Sequence, residues 1–331
     1  MRRAVCGLCP RECALADREG TRGGYCGGGG NFPLRVAAAS IHYGEEPPVT
    51  GRKGSGTIFV SGCNLRCVFC QNAQISRGGT GRVVDADEFA AICLALQERG
   101  AENINIVTGS HSVPALLEGI RRARAASLSI PCLWNSSAYE KPETLELLRG
   151  VIDMFLPDLK TLDKNISAAF FNAPDYPRYA EKAIIKMMDL ARDKHKVIIR
   201  HLVLPGFLES TKEVLRWFAV NARGKAILSL MTQYTPVNGT CDGVHCGGED
   251  YVSDYDGAGA AGKKNAPARF LSELEYRKTL AWLEEFDIED GFYQELETGN
   301  EWLPDFERKN PFSSELSVPV WHWKYGFIKL R

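Results

Sequence analysis

The stretch Cys63-Asn64-Leu65-Arg66-Cys67-Val68-Phe69-Cys70 sets three thiols in a C-x3-C-x2-C spacing. The apolar run Thr57-Ile58-Phe59-Val60 and then Ser61-Gly62 lead into it, so the loop follows a β-strand. Three thiolates this close can wrap one iron–sulfur cluster, which normally takes four. A four-iron cubane held by three leaves one iron for a distant fourth ligand or for a small molecule. The competing reading is a zinc knuckle or a trio of reduced core cysteines. Zinc prefers four ligands in two pairs, and no partner pair of suitable spacing follows closely.

Working outward, the pattern alternates strand and helix. Strands are expected at 57–61, 103–107, 131–135, 152–157, 196–204 and 226–231, with helices at 86–99, after Ser112, at 142–149, at 176–193, after Ser210 and at 273–286. Asp85 with Glu88, and Ser210 with Glu213, read as capping boxes. Six strands so spaced imply an α/β fold with a parallel sheet, which right-handed crossovers curl into a barrel or partial barrel. Binding sites in such folds lie at the C-terminal strand ends, where the cysteine loop stands. Residues 36–56, broken by Pro47-Pro48 and several glycines, read as an irregular lead-in. Cys93 and Cys132 read as core.

The first thirty residues hold a second set of thiols, Cys6, Cys9, Cys13 and Cys26. Four thiols suffice for a closed zinc site or for an auxiliary iron–sulfur cluster, and the sequence does not choose between them. Residues 238–268 are polar, acidic and glycine-rich, and read as a flexible insertion. Within it Gly257-Ala-Gly-Ala-Ala-Gly262-Lys263-Lys264 imitates a phosphate loop but lacks the preceding apolar strand. Cys241, His245 and Cys246 lack a fourth partner. The tail from 291 carries Trp302, Trp321 and Trp323, expected to pack back on the body. The chain thus divides into a Cys-rich segment (1–50), a core (51–237), the insertion (238–268) and a helix with an aromatic tail (269–331).

With 331 residues, 44% of them hydrophobic, the chain can bury a large core. Its net charge of −1 gives no bulk electrostatic reason to bind nucleic acid or a membrane. No apolar run reaches transmembrane length, and the start has no signal-peptide core. Eleven cysteines without a secretory signal point to metal or redox work in a reducing compartment, expected to be the cytoplasm.

The run EEPPVTGRKGSGTIFVSGCNLRCVFCQNAQIS (45–76) resembles the pyruvate formate-lyase activating enzyme-related family of the radical S-adenosylmethionine (SAM) superfamily, in its PflX-like branch. The resemblance extends to CGLCPREC (6–13), NINIV (103–107), LPDLK (156–160), RHLVLPG (200–206), QYTPV (233–237) and WLPDF (302–306). It implies a partial (β/α)6 radical SAM barrel with a Cys-rich N-terminal extension. It implies that Cys63, Cys67 and Cys70 hold a 4Fe-4S cluster whose free iron binds SAM. Phe69 would lie against the adenine, and Asp158, Lys160 and Arg200 would face SAM. Positions matching Asn135, Ser136 and Asp158 line a site near the SAM carboxylate that can hold a monovalent cation in activating enzymes; Asn135 replaces an acidic residue there. The turn that binds the SAM amino group through backbone oxygens in much of the superfamily is Thr108-Gly109-Ser110-His111 here, without its usual Gly-Gly-Glu. The resemblance further implies an oxidoreductase that cleaves SAM and abstracts a hydrogen atom, served by an electron donor such as flavodoxin or ferredoxin. Its substrate would be a glycyl-radical enzyme, or else another peptide or small molecule. The reading from the residues also leaves open an iron–sulfur electron carrier or sensor, or a zinc-stabilised binding protein.

Independently of that family, charged Asp158 and Lys160 at the end of an apolar strand are costly unless paired or serving a ligand. Strand alternation sends Arg200 and His201 to opposite faces; Arg200 is expected to face the barrel interior and His201 to be packed.

Overall fold

A computed structural model describes residues 5–14, 24–27, 33–237, 240–241, 244–245 and 266–329. The strands are β1 (Arg35–His42), β2 (Ser55–Val60), β3 (Arg82–Val83), β4 (Ile104–Val107), β5 (Cys132–Ser136), β6 (Met154–Pro157), β7 (Ile198–Leu202), β8 (Ile227–Met231), β9 (Thr240–Cys241), β10 (Val244–His245), β11 (Gly291–Tyr293), β12 (Ser317–His322) and β13 (Gly326–Phe327). The helices are α1 (Pro47–Thr50), α2 (Ala73–Ser76), α3 (Ala86–Glu98), α4 (Val113–Ala125), α5 (Pro142–Glu146), α6 (Lys164–Phe171), α7 (Tyr176–Ala191), α8 (Leu208–Asn221) and α9 (Glu273–Glu285).

The six strands expected from the sequence are β2, β4, β5, β6, β7 and β8. Each neighbouring pair runs parallel. Between β6 and β7 the sheet continues only through two parallel bridges, Phe155 to Val197 and Asp158 to Arg200. The fold is α/β, with a mostly parallel sheet curled as a partial barrel.

Alternation sorts the side chains of these strands. Leu133, Leu156, Ile198 and Ile227 point to the concave side and pack on Val49 of α1, which plugs the floor. Two residues further along each strand, on the same face, come Asn135, Asp158, Arg200 and Ser229. The barrel interior is therefore apolar at the bottom and polar above it. The opposite faces meet the helices: Cys132, Trp134, Phe155, Ile199 and Leu228 are buried with α3, α4, α7 and α8. Cys93 and Cys132 are fully enclosed there.

The lead-in departs from the expectation. Residues 35–42 form β1, antiparallel to β2 on one side and to β12 on the other. RVAAASIH is buried on both faces, so it shows neither alternation nor helical period. Ser210 also departs: it lies inside α8, which starts at Leu208, and its hydroxyl meets that of Thr161 at 2.7 Å. Asp85 does accept from the Glu88 amide at 2.8 Å, but the Glu88 carboxylate bonds Arg82 and Trp321 instead of closing the box.

Trp321 on β12 is fully buried. The Trp302 indole donates to Thr235 Oγ1 at 2.9 Å and that of Trp323 to the Phe306 carbonyl at 2.8 Å. The phosphate-loop look-alike at 257–264 and Cys246 lie outside the described residues, as do the side chains of Cys241 and His245.

Candidate active site

β2 ends at Val60, and the chain turns at Gly62, whose φ of +97° suits glycine. A Cβ there would stand 2.5 Å from the Cys26 carbonyl and 2.8 Å from His111 Nε2, so the turn has no room for a side chain. The cysteine loop begins at the next residue. Cys63 Sγ accepts from the amides of Leu65 at 3.3 Å and Arg66 at 3.5 Å. Arg66 adopts φ +55°, which brings its amide round to that sulfur. Cys70 Sγ accepts from Ser76 Oγ at 3.4 Å, and the Val68 amide ties the loop to the Phe170 carbonyl at 3.0 Å.

Cys63 and Cys67 are buried and Cys70 half-buried. Burial pushes the Cys63 thiol up, and Cys70 beside it adds repulsion. Burial raises Cys67 further, while the Lys160 ammonium acts the other way. Three thiols this close can ionise together only against a strong positive charge, which a metal supplies. Among the described residues no three His, Cys, Asp or Glu side chains converge as around a single metal ion. A cluster does not need that, because its ligands sit on separate irons. Proximity, N–H donation to sulfur and a nearby cation fit a cluster.

The other predicted residues ring the same mouth. Asp158 and Lys160 pair at 2.7 Å just beyond β6. Burial alone would depress Lys160, but Asp158 and then Cys67 hold it above its ordinary value. Tyr176 Oη donates to the Asp158 carbonyl and accepts from the Lys160 amide, fixing the backbone between them. Phe69 is buried edge-on against Phe170, Phe171 and Tyr234, with centroids 5.9–6.3 Å apart. Thr108 takes φ +63°, uncommon for a β-branched residue, and its amide is held by the Asn135 carbonyl at 2.9 Å. Such backbone strain is typically stored where a site needs it. Asn135 is buried above the apolar floor. Ser136 donates at 2.7 Å to Glu140, which also accepts from Trp134 Nε1 at 2.9 Å. Burial pushes the Glu140 carboxyl up, and its bonds to Ser136, Ser110 and Trp134 offset part of this.

Arg200 points into the barrel and closes on two carboxylates, Glu45 and Glu46, which precede α1. Burial opposes its charge; Glu46 first, then Glu45, hold it protonated. Glu46 also reaches Ser229, and Asn105 Nδ2 donates to Glu45 at 3.0 Å. His201 faces the helices: Nδ1 meets the Leu159 carbonyl at 2.7 Å and Nε2 meets Thr211 Oγ1 at 3.0 Å. Burial pushes it down to about 4.

Sequence reasoning missed Glu45, Glu46, Glu140 and Tyr176. The first two had a signal, a pair of acids ahead of Pro47-Pro48 in an otherwise apolar approach.

Residues 57–218 match the family model described as the radical SAM superfamily. The chain carries a radical SAM domain. Its cofactors are a 4Fe-4S cluster and SAM. An uncharacterized protein of Methanocaldococcus jannaschii is 31% identical over 238 residues, spanning 70% of this chain and 66% of its own length. A radical SAM methyltransferase from Sphaerobacter thermophilus superposes with TM-score 0.50 at 14% identity, over 72% of this chain and 66% of that one. At that identity the likeness speaks for the fold. A domain of a pyruvate formate-lyase-activating enzyme from Bacteroides vulgatus reaches TM-score 0.38 at 14% identity, over 55% of this chain and 91% of that one. Among the described residues no helix is long and apolar enough to cross a membrane.

Proposed function

We propose that this chain is a radical SAM enzyme of the pyruvate formate-lyase activating enzyme-related kind, which removes a hydrogen atom from a glycine of a partner enzyme. The observation that carries the reading is the meeting of two strand ends. The loop after β2 brings Cys63, Cys67 and Cys70 to the barrel mouth, and the segment after β6 brings Asp158 and Lys160, with Lys160 close enough to act on Cys67.

When bound, the cluster and SAM supply one-electron cleavage of SAM to methionine and a hydrogen-abstracting 5′-deoxyadenosyl radical. The protein's part is positioning and exclusion of water. Cys63, Cys67 and Cys70 would hold the cluster. Asp158 and Lys160 present both signs of charge to a ligand that carries an ammonium, a carboxylate and a sulfonium. The aromatic wall of Phe69, Phe170, Phe171 and Tyr234 keeps the loop's flank dry. The strained turn at Thr108 and the polar tier with Asn135 and Ser136 complete the rim.

The electron would come from a carrier such as flavodoxin or ferredoxin. The glycine substrate is supported by the motif run at 45–76, and another peptide or small molecule is the second reading.

The test is anaerobic reconstitution with iron and sulfide, reduction, and addition of SAM. The wild-type chain is expected to release 5′-deoxyadenosine, with Cys70→Ala at background. Equal release from both would overturn the reading, and a reduced cluster with no release would favour an electron carrier.

A further inference from the structure

We infer that Cys6, Cys9, Cys13 and Cys26 hold a second iron–sulfur cluster, bound through thiolate sulfur on separate irons and seated against the back of the SAM-cluster loop. The inference is independent of the SAM reading, because the four cysteines lie outside the barrel motif.

The four residues come from two short pieces of chain that the fold brings to one cavity. A bridge between Val5 and Ala14 closes the first piece, and the Cys6 amide donates to the Cys13 carbonyl at 2.8 Å within it. The second piece is the turn 24–27. Its Tyr25 amide donates to Cys13 Sγ at 3.4 Å, which joins the two. The Arg11 amide and the Asn64 side chain both bond the sulfur of Cys9. Cys6, Cys9, Cys13 and Cys26 line one cavity together with His111.

Three of the four cysteines are under a tenth exposed, although their segments contain no regular helix and few large apolar side chains, of which Val5 is exposed. Cys6, Cys9 and Cys13 form no disulfide. Buried thiols need a reason, and here no packed apolar core surrounds them. A short, glycine-rich segment of this kind needs a staple to hold one shape, and a metal is a common one.

Two further groups point to a ligand. His111 is 4% exposed, and its Nε2 meets the Ser61 carbonyl at 2.8 Å. A carbonyl only accepts, so that nitrogen carries the proton and Nδ1 keeps a bare lone pair. Nδ1 is buried and has no partner. Arg66 Nε is likewise buried without one, and the same guanidinium lies 3.7 Å from where a Gly27 Cβ would stand, beside Cys26. Arg11 stacks on Tyr25 at 3.7 Å, with Arg66 over the same ring at 5.0 Å. Four thiolates around a cubane leave net negative charge. Two arginines beside the cavity complement it.

The centre would also hold the loop in front of it. Arg11 donates to the carbonyls of Asn64 at 2.6 Å, Phe171 at 2.8 Å and Asn172 at 2.9 Å. Tyr25 Oη donates to the Leu65 carbonyl at 3.2 Å. Asn64 and Leu65 lie between the cluster ligands Cys63 and Cys67.

The experiment is metal and sulfide analysis of anaerobically purified full-length chains. In a Cys63→Ala/Cys67→Ala/Cys70→Ala variant the expected content is about four irons per chain with matching sulfide. A variant lacking all seven cysteines is expected to have neither. Conversely, Cys9→Ser/Cys13→Ser should lose that metal and keep the visible absorption of the SAM-cluster site. The inference falls if the triple variant holds no more iron and sulfide than the sevenfold one, or if Cys9→Ser/Cys13→Ser keeps the full iron content.

Discussion

Two cysteine sets lie back to back in this molecule, and they are held by different means. Cys63, Cys67 and Cys70 sit on a loop anchored to a parallel sheet whose interior is tied by a buried arginine and two carboxylates. Cys6, Cys9, Cys13 and Cys26 sit on segments joined to the body by backbone turns, Arg11 and Tyr25. The first set inherits its geometry from the barrel. The second would obtain its geometry from the cluster inferred above. Similar thiol spacing in sequence therefore does not mean similar preorganisation.

Exchanging the damage between the sets tests this difference most severely. The Cys63→Ala/Cys67→Ala/Cys70→Ala variant is expected to lose 5′-deoxyadenosine release altogether. Replacing Cys6, Cys9, Cys13 and Cys26 by alanine is expected to cut the rate at saturating SAM by about tenfold, the scale of support around a metal site. Equal losses would erase the distinction.

Next comes the barrel's own framework. Arg200→Met leaves Glu45 and Glu46 buried together without a counter-charge. Breaking such a pair costs about 3–5 kcal/mol, which urea unfolding of the metal-free chain would measure. A loss below about 1 kcal/mol, the range of exposed pairs, would show that the barrel does not depend on it.

A smaller effect follows from His201. Its folded pKa of about 4 lies below its ordinary 6.5, so the unfolded chain takes up the proton first. Stability from this group is present above the ordinary value and falls as the pH drops through it towards 4. About 2 kcal/mol should be lost between pH 7 and pH 5. His201→Gln should flatten that slope in urea titrations; an unchanged slope would assign it to other groups.

The smallest expected change is at the joint between the two sets. Arg11→Ala removes three bonds to backbone carbonyls that water can take over, a net loss of under about 1 kcal/mol. Global stability should barely move, while amide exchange at residues 63–67 should accelerate. Exchange that stays slow would locate the loop's support entirely in the barrel.

The barrel was legible in the sequence because its strands have apolar runs punctuated by helical periods. The cysteine loop was legible because ligand spacing is local. Arg200 and His201 were separable by alternation alone, and the structure puts them on opposite faces as expected. β1 was not legible: a strand covered on both faces by other strands and helices loses its period. The destination of Arg200 was also hidden. Its partners stand more than 150 residues earlier in the chain, and nothing near position 200 announces them. Glu140 escaped for a similar reason, since a carboxylate becomes notable only once Trp134, Ser136 and the surrounding core enclose it. Ser210 misled because a serine ahead of a glutamate has the form of a cap, whereas its hydroxyl is engaged by Thr161.

β1 is zipped on its outer edge by β12, a strand that is made long after β1 itself. Until residues 317–322 emerge, the nascent protein must carry an open ladder of amides and carbonyls beside the strand that delivers the cysteine loop. Such an open ladder is a template for pairing with other chains. A chain cut short before β12 would thus keep its cysteine loop beside an open sheet edge, and such a species should clump.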